Sequence, residues 1–334
     1  MNRQTRLIIG VVLGLTLLSL SAFPQNVKLG SVAPAASPWG KALHRLAGQW
    51  SRISNGRVRL KLYLGGIAGG ENDMIRKMRI GQLQAAAVTA IGLKTVNPDV
   101  LALSVPFLIR TEDEFDYVLA NMEGHLEDEL GQKGFRVLVW SFTGWVSIFS
   151  KSPVVYPDDL KRQKLAVPTS DTLILNSFRA MGFDAISLPV SDLMVGLQSG
   201  MVDALYSPPM VAAAFQWFGV ANHMSQIRVL PIYAALVVSE RTWRRIPERY
   251  KPELLEAVRE AERIFRSESG RLEEEALEVM QRHGLVLHSV PPDAEEQWRR
   301  LMGGGFNDAL TELLPEGVYE MVRNHLEDYR NGRR

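Results

Sequence analysis

The sequence predicts an α/β fold divided between two domains, and three observations support that prediction. The chain has 334 residues, more than one compact hydrophobic core usually holds. Short strand patterns alternate with amphipathic helical patterns, which is typical of parallel sheets with crossover helices. A long helical pattern follows at 253–283. Its roughly thirty residues, at ~1.5 Å each, extend ~45 Å and are expected to reach across both domains.

Residues 1–23 have the pattern of a secretory signal peptide. Arg3 and Arg6 precede the apolar run Leu7–Leu20, and small residues follow as far as Ala22. The run is too short to span a ~30 Å hydrocarbon core comfortably, although an uncleaved N-terminal membrane anchor is the alternative. We therefore expect an exported protein that is located in the periplasm.

The composition excludes several classes of protein. A hydrophobic fraction of 46% and a charged fraction of 22% are typical of a globular chain and exclude a mainly disordered one. With 38 basic and 37 acidic residues the net charge is +1, which argues against a strongly basic nucleic-acid-binding protein. The absence of cysteine excludes disulfides, iron–sulfur clusters and cysteine nucleophiles.

The first domain is predicted at 24–150, completed by a later segment at about 235–285. Its apolar residues alternate in short runs that predict strands at Val27–Val32, Val58–Leu64, Ala85–Thr89, Arg136–Trp140 and Val146–Phe149. Helical spacing predicts helices at Trp39–Ser54, Asn72–Ile80 and 111–130. A capping box at Thr111–Glu114 begins the last of these helices.

The second domain is predicted at 151–234 and repeats the alternation. Strand patterns occur at Lys164–Val167 and Val202–Tyr206, and helical patterns at Leu173–Met181 and Leu193–Ser199. A strand at Ala234–Ser239 then leads to the long helix at 253–283. Residues 285–334 are expected to form C-terminal helices, near 293–302 and 316–329.

Motifs of enzymes, metal sites and phosphate-binding loops are missing from the sequence. It contains no G-x-S-x-G, no H-E-x-x-H, no EF-hand loop and no G-K-[ST] ending on a glycine-rich loop. The run Gly65–Gly70 is therefore interpreted as a turn before a helix. Since no acid–base pair stands out either, we expect a protein that is not an enzyme and has no cofactor and no metal.

Several segments resemble solute-binding proteins of TRAP transporters, the DctP-type family. The segment KRQKLAVPTSDTLILNSFRAMGFDAISLPVSDLMVGLQSGMVDALYSPP (Lys161–Pro209) resembles the central region of that family. KLGSVAPAASPWGKAL resembles its opening strand and helix, and YLGGIAGGENDMIRKMRIGQLQAA resembles its second strand, glycine-rich turn and helix. The resemblance covers nearly all of the mature chain, and the motifs occur in the family's order.

The resemblance implies a two-domain periplasmic-binding-protein fold with crossover strands, an inter-domain cleft and a long helix that braces both domains. It also implies that a ligand closes the cleft by hinge motion and is delivered to TRAP membrane permease subunits. A periplasmic tetratricopeptide-repeat (TPR) protein is a further partner that the resemblance permits. No nucleic acid is expected as a partner.

The chain departs from the family where a carboxylate is usually bound. Family members hold an organic acid with an arginine in the strand motif K-[IL]-R-V-P, whereas this chain reads Lys164-Leu165-Ala166-Val167-Pro168. A second arginine is missing from Gly144-Trp145-Val146, and Ser207 replaces the ligand-facing asparagine. Burying a carboxylate without a cation costs several kcal/mol, whereas ~200 Å² of buried apolar ligand surface contributes ~5 kcal/mol.

The sequence therefore predicts an atypical receptor for a small apolar or neutral ligand. Thr89, Tyr206 and Ser207 are expected to supply hydroxyl groups to the ligand, and Glu71 a carboxylate. The candidate ligand-binding residues are Trp39, Glu71, Thr89, Trp140, Trp145, Val146, Ala166, Val190, Tyr206, Ser207, Met210 and Tyr233. Two alternatives stay open: an organic acid held by another cation such as Lys94 or Arg76, and a periplasmic sensor or scaffold that acts through a protein partner.

Overall fold

The computed structural model describes residues 25–167 and 172–332, so the predicted signal peptide lies outside the described residues. The strands are β1 Gln25–Ser31, β2 Val58–Tyr63, β3 Ala85–Thr89, β4 Phe135–Trp145, β5 Ser147–Ser150, β6 Lys164–Val167, β7 Asp184–Ser187, β8 Ala204–Ser207, β9 His223–Ser225, β10 Pro231–Ser239 and β11 Val286–His288. The helices are α1 Pro38–Ile53, α2 Glu71–Arg79, α3 Ala90–Leu93, α4 Glu112–Gln132, α5 Pro157–Lys161, α6 Thr172–Ala180, α7 Leu193–Ser199, α8 Pro209–Ala214, α9 Glu240–Arg245, α10 Lys251–Arg282, α11 Pro292–Leu313 and α12 Val318–Arg330.

The first sheet has the strand order β2-β1-β3-β10-β4. Strands β1, β2 and β3 are parallel, as the strand–helix alternation predicts. β10 is antiparallel to both β3 and β4, which the sequence did not indicate. The chain enters β10 from the second sheet without a preceding crossover helix, and an antiparallel neighbour needs none.

The second sheet has the order β11-β9-β5-β8-β6-β7. Its parallel pairs are β6 with β7, β6 with β8, and β9 with β11, whereas β5 is antiparallel to its neighbours. Strands β7, β9 and β11 were not predicted. Each has only three or four residues, too few for a periodic pattern to separate a strand from a loop.

Two chain segments run side by side from one sheet to the other. β4 continues into β5 through Val146, and residues 226–230 lead from β9 into β10. The Val146 N–H donates to the Leu230 carbonyl at 2.9 Å, and the Val146 carbonyl accepts the Val229 N–H at 3.1 Å. These crossing segments confirm the two-domain fold with crossover strands, whereas the domain boundaries at 150 and 234 stay predictions.

The long helix α10 contacts both halves of the molecule. Near its start the Trp50 indole N–H donates to the Leu254 carbonyl at 3.2 Å, which ties α10 to α1. Near its end Met280 is buried among residues of the second sheet. The helix therefore braces both domains, as the resemblance implied.

Candidate functional site: a cavity between the two sheets

A cavity of about 760 Å³ lies between the two sheets. The first sheet contributes strand residues, α1 contributes Trp39 and Leu43, and the glycine-rich turn before α2 contributes backbone. The second sheet contributes Ser187 and the segment Tyr206–Pro208, while one face of α10 closes a side. The crossing segments flank this cavity, since Val146 and Ile232 both line it.

The structure brings together seven of the twelve candidate ligand-binding residues. Those that line the cavity are Trp39, Glu71, Thr89, Val146, Val190, Tyr206 and Ser207. The other five are buried elsewhere, and they are Trp140, Trp145, Ala166, Met210 and Tyr233.

Strand alternation explains why Trp140 and Tyr233 do not reach the cavity. On β4 the residues facing the cavity are Val139, Ser141 and Thr143. Trp140 points to the opposite face, where its ring centroid lies 5.7 Å from that of Tyr233 in the hydrophobic core. Because successive side chains point to opposite faces, a shift of one residue exchanges the two sets.

Ala166 also requires a correction, because no described residue of β6 lines the cavity. It is fully buried in the core of the second sheet, paired with Ile186 on β7 and Leu205 on β8, and does not line the cavity. An Ala166→Arg variant would place a charge in an apolar core. It would therefore test folding and not ligand binding. The electrostatic character of the cavity must therefore be taken from the residues that do line it.

None of the described residues that line the cavity is Lys, Arg or His. The charged side chains there are the carboxylates Glu71, Asp73 and Glu262. Neither Lys94 nor Arg76 lines the cavity: Arg76 pairs with Asp73 at 2.8 Å, and burial lowers the pKa of Lys94 to about 8. Residues 168–171, which the structure does not describe, are Pro, Thr, Ser and Asp, so they add no basic side chain.

Glu71 and Thr89, both predicted to contact the ligand, are bonded to each other. The Glu71 carboxylate accepts the Thr89 N–H at 2.9 Å and the Thr89 hydroxyl at 2.6 Å. Burial raises the pKa of the Glu71 carboxyl, and these bonds, with a further one from the Gly92 N–H, only partly oppose that effect. Glu71 thus joins the starts of α2 and α3, and its carboxylate would repel an anionic ligand.

Aromatic residues missed by the sequence analysis form much of the remaining wall. Phe265 on α10 lies 5.8 Å from Trp39 between ring centroids, and Phe215 stacks on Trp217 at 4.8 Å. Glu262 stands one turn before Phe265, and burial raises its pKa while Arg266 opposes the shift. The apolar stripe of α10 marked this helix face in the sequence, but such a stripe does not separate core packing from a cavity wall.

Two tyrosine substitutions are expected to differ in their effect on the free energy of unfolding. Tyr233 is fully buried and its hydroxyl donates to the Val100 carbonyl, whereas the Tyr206 hydroxyl has no hydrogen-bond partner among the described residues. Tyr233→Phe should lower the free energy of unfolding by ~1 kcal/mol, because a buried carbonyl loses its partner. Tyr206→Phe should leave it within ~0.5 kcal/mol. Urea unfolding measures both, and an equal loss in the two variants would contradict the assignment.

Residues 29–306 match the family described as bacterial extracellular solute-binding protein, family 7. The chain belongs to this family. Its members are substrate-binding receptors that act with the membrane permease subunits of TRAP transporters, so this family 7 protein is not an enzyme.

A relative, the 2,3-diketo-L-gulonate-binding periplasmic protein of Escherichia coli, is 22% identical over 79% of this chain and 80% of its own. The C4-dicarboxylate-binding periplasmic protein of Vibrio cholerae is 20% identical over 78% of this chain and 79% of its own.

Solved structures of TRAP solute-binding proteins share the fold. The sugar acid binding protein of Advenella mimigardefordensis, in complex with galactonate, superposes with a TM-score of 0.85 at 21% identity, covering 92% of this chain and 99% of its own. A protein of Sulfurospirillum deleyianum with bound succinate gives a TM-score of 0.82 at 22% identity, and the match covers 90% of this chain and 99% of that protein's chain. The described part of this family 7 chain has no helix long and apolar enough to cross a membrane, and no group of three metal-ligating side chains.

Proposed function

We propose that this family 7 protein is the periplasmic receptor of a TRAP-type transporter for a small neutral, largely apolar ligand. The ligand enters the cavity between the two sheets and is passed to membrane permease subunits. The proposal includes export by the signal peptide at 1–23 and the division into domains at about 150 and 234. The observation that carries the ligand class is the charge of the cavity wall, where the described residues offer carboxylates and no cation.

The physical reason is the cost of desolvating an anion. A carboxylate that leaves water without a paired cation loses several kcal/mol. Glu71 and Glu262 add repulsion when they are ionised, although burial raises the pKa of both, whereas Arg76 offsets the charge of Asp73 at 2.8 Å. Hydrocarbon from Trp39, Phe215 and other wall residues instead favours apolar ligand surface, at ~25 cal/mol per Å² buried.

An organic acid is the second candidate, because solved relatives carry galactonate, succinate or orotic acid. Those proteins are 20–22% identical to this chain, a likeness that supports the fold and leaves the ligand open. An acid would need a cation at the cavity, and the described wall provides none.

Ligand binding to the purified protein distinguishes the two candidates. We expect 1-octanol to raise the melting temperature and to give a binding isotherm by calorimetry, whereas galactonate, succinate and orotate leave both unchanged. Saturable binding of one of these acids, with no response to 1-octanol, would overturn the proposal.

A charge exchange on α10 provides a matched control. Glu262→Lys places a cation on the cavity wall, and one unit charge at ~6 Å with an effective dielectric constant of ~20 contributes about 3 kcal/mol. We expect this variant to give a calorimetric isotherm with succinate, which the wild type does not give. Glu268→Lys makes the same exchange on the solvent side of the helix, where Glu268 lies 3.9 Å from Arg271, and should give no such isotherm.

A further inference from the structure

A second, smaller cavity of about 60 Å³ lies beside the first, where α11 covers the crossing segments. Its walls come from both sheets and from Trp298 and Met302 of α11. Nearly all of the described lining atoms are hydrocarbon. Ser104 makes a long 3.5 Å bond to the Pro231 carbonyl, and the Trp298 indole N–H already donates to the Val155 carbonyl at 2.8 Å.

Four side chains line both cavities and therefore form the partition between them: Ile91, Val146, Tyr206 and Ile232. Val146 lies in a crossing segment and Ile232 follows the other one, so hinge motion would change the width of this partition. The Tyr206 ring stacks on Phe178, a wall residue of the smaller cavity, at 5.4 Å. Ile148 lies directly opposite Tyr206 on the neighbouring strand and also faces the smaller cavity.

These walls suit hydrocarbon better than water. A volume of about 60 Å³ is large enough to admit water, since ~10–15 Å³ is enough for one molecule, but a buried water needs two to four polar partners. The Ser104 hydroxyl and the Tyr206 hydroxyl, which has no hydrogen-bond partner among the described residues, are too few to hold buried waters. Burying a methylene group contributes ~0.8 kcal/mol, which corresponds to about fourfold in affinity.

We infer that the ligand is elongated, with a polar end in the main cavity and a hydrocarbon end that passes between Val146, Tyr206 and Ile232 into the smaller cavity. This inference rests on the proposed function and adds a subsite to it. The Tyr206 hydroxyl, at the partition, is then positioned to bond the ligand where its polar and apolar parts meet.

A series of n-alkanols from butanol to tetradecanol, titrated by displacement of N-phenyl-1-naphthylamine, tests the subsite. Affinity should rise about fourfold per methylene and level off once the smaller cavity is filled. Ile148→Phe narrows that cavity and should move the plateau to shorter chains, whereas Ile148→Val widens it and should move the plateau to longer ones. Val139→Phe, in the main cavity, should lower affinity at every length without moving the plateau.

A crystal structure with 10-bromo-1-decanol gives a readout that does not depend on any variant. We expect the anomalous signal of bromine against Trp298 and Met302. If alkanols bind, but bromine lies in the main cavity and both Ile148 variants keep the wild-type plateau, the subsite is wrong and the proposed function stands. If no alkanol binds at all, the proposed function fails together with the subsite.

Discussion

Gly40→Ala is expected to lower the free energy of unfolding by about 3 kcal/mol, because a methyl group at this position collides with backbone. Gly40 is in the first turn of α1, and the loop Pro34–Ala36 folds directly over it. A Cβ atom there would touch the Pro34 carbonyl oxygen and lie 2.6 Å from the carbonyl oxygen of Ala35. Backbone atoms cannot rotate away as a flexible side chain can, so either the loop or the helix must move.

The same helix contains the matched control. Gly48 is exposed, and a Cβ atom there meets nothing within 4 Å. Gly48→Ala should raise the free energy of unfolding by ~0.5–1 kcal/mol, because alanine loses less conformational entropy than glycine in a helix interior. Urea unfolding compares the two variants. A stabilising effect of Gly40→Ala would show that the loop yields without cost.

Gly40→Ala should also weaken ligand binding. Pro34 and Trp39 line the cavity on either side of the crowded contact, so moving the loop or the helix shifts the wall. Affinity for 1-octanol should fall in Gly40→Ala and stay at the wild-type value in Gly48→Ala. Unchanged affinity in a clearly destabilised Gly40→Ala protein would mean that the wall is restored when the ligand binds.

Arg330→Ala is expected to cost about 2 kcal/mol of unfolding free energy at neutral pH, since it leaves a buried carboxylate without its cation. Arg330 ends α12 and donates to both oxygens of Glu114, at 2.8 and 3.0 Å, and to the Leu108 carbonyl at 2.9 Å. The Glu114 side chain is 8% exposed, whereas that of Arg330 is 34% exposed, which keeps the expected cost below that of a fully buried pair.

The effect should depend on pH in a defined direction. Burial alone raises the pKa of Glu114, but the bonds from Arg330 and the Arg110 N–H outweigh it and hold the pKa below the ordinary value of 4.5. A lowered pKa in the folded state stabilises the protein above the unfolded-state pKa, and this stabilisation is lost as the pH falls through the folded-state pKa. The difference between wild type and Arg330→Ala should therefore shrink in acid.

Arg323→Ala is the control for that variant on the same helix. Arg323 lies 3.6 Å from Glu327, and both side chains are more than half exposed, so the pair contributes less than ~0.5 kcal/mol. Thermal unfolding at pH 7 and at pH 3 compares the three proteins. Equal losses in the two variants at pH 7 would contradict a specific role for the contact between α12 and α4.

The sequence determined the alternation of strands and helices, and the structure keeps most of the predicted elements within a few residues. Helix α1 ends where Asn55-Gly56 predicts, and α10 spans both domains as its length predicts. These features depend on local backbone preferences and on the periodic spacing of apolar residues, which a single segment carries by itself. The family motifs along the chain likewise predicted the overall two-domain architecture.

Tertiary structure alone decided which residues face the cavity. Strand β10, which lies inside the first sheet, is apolar on both faces along most of its length, because one face packs on the core and the other lines the cavity. With no polar face on β10 to mark the difference, the pattern separates Tyr233 from Ala234 but does not say which of them meets a ligand. The contribution of Phe265 and Glu262 from α10 likewise depends on how distant segments pack, which no local pattern encodes.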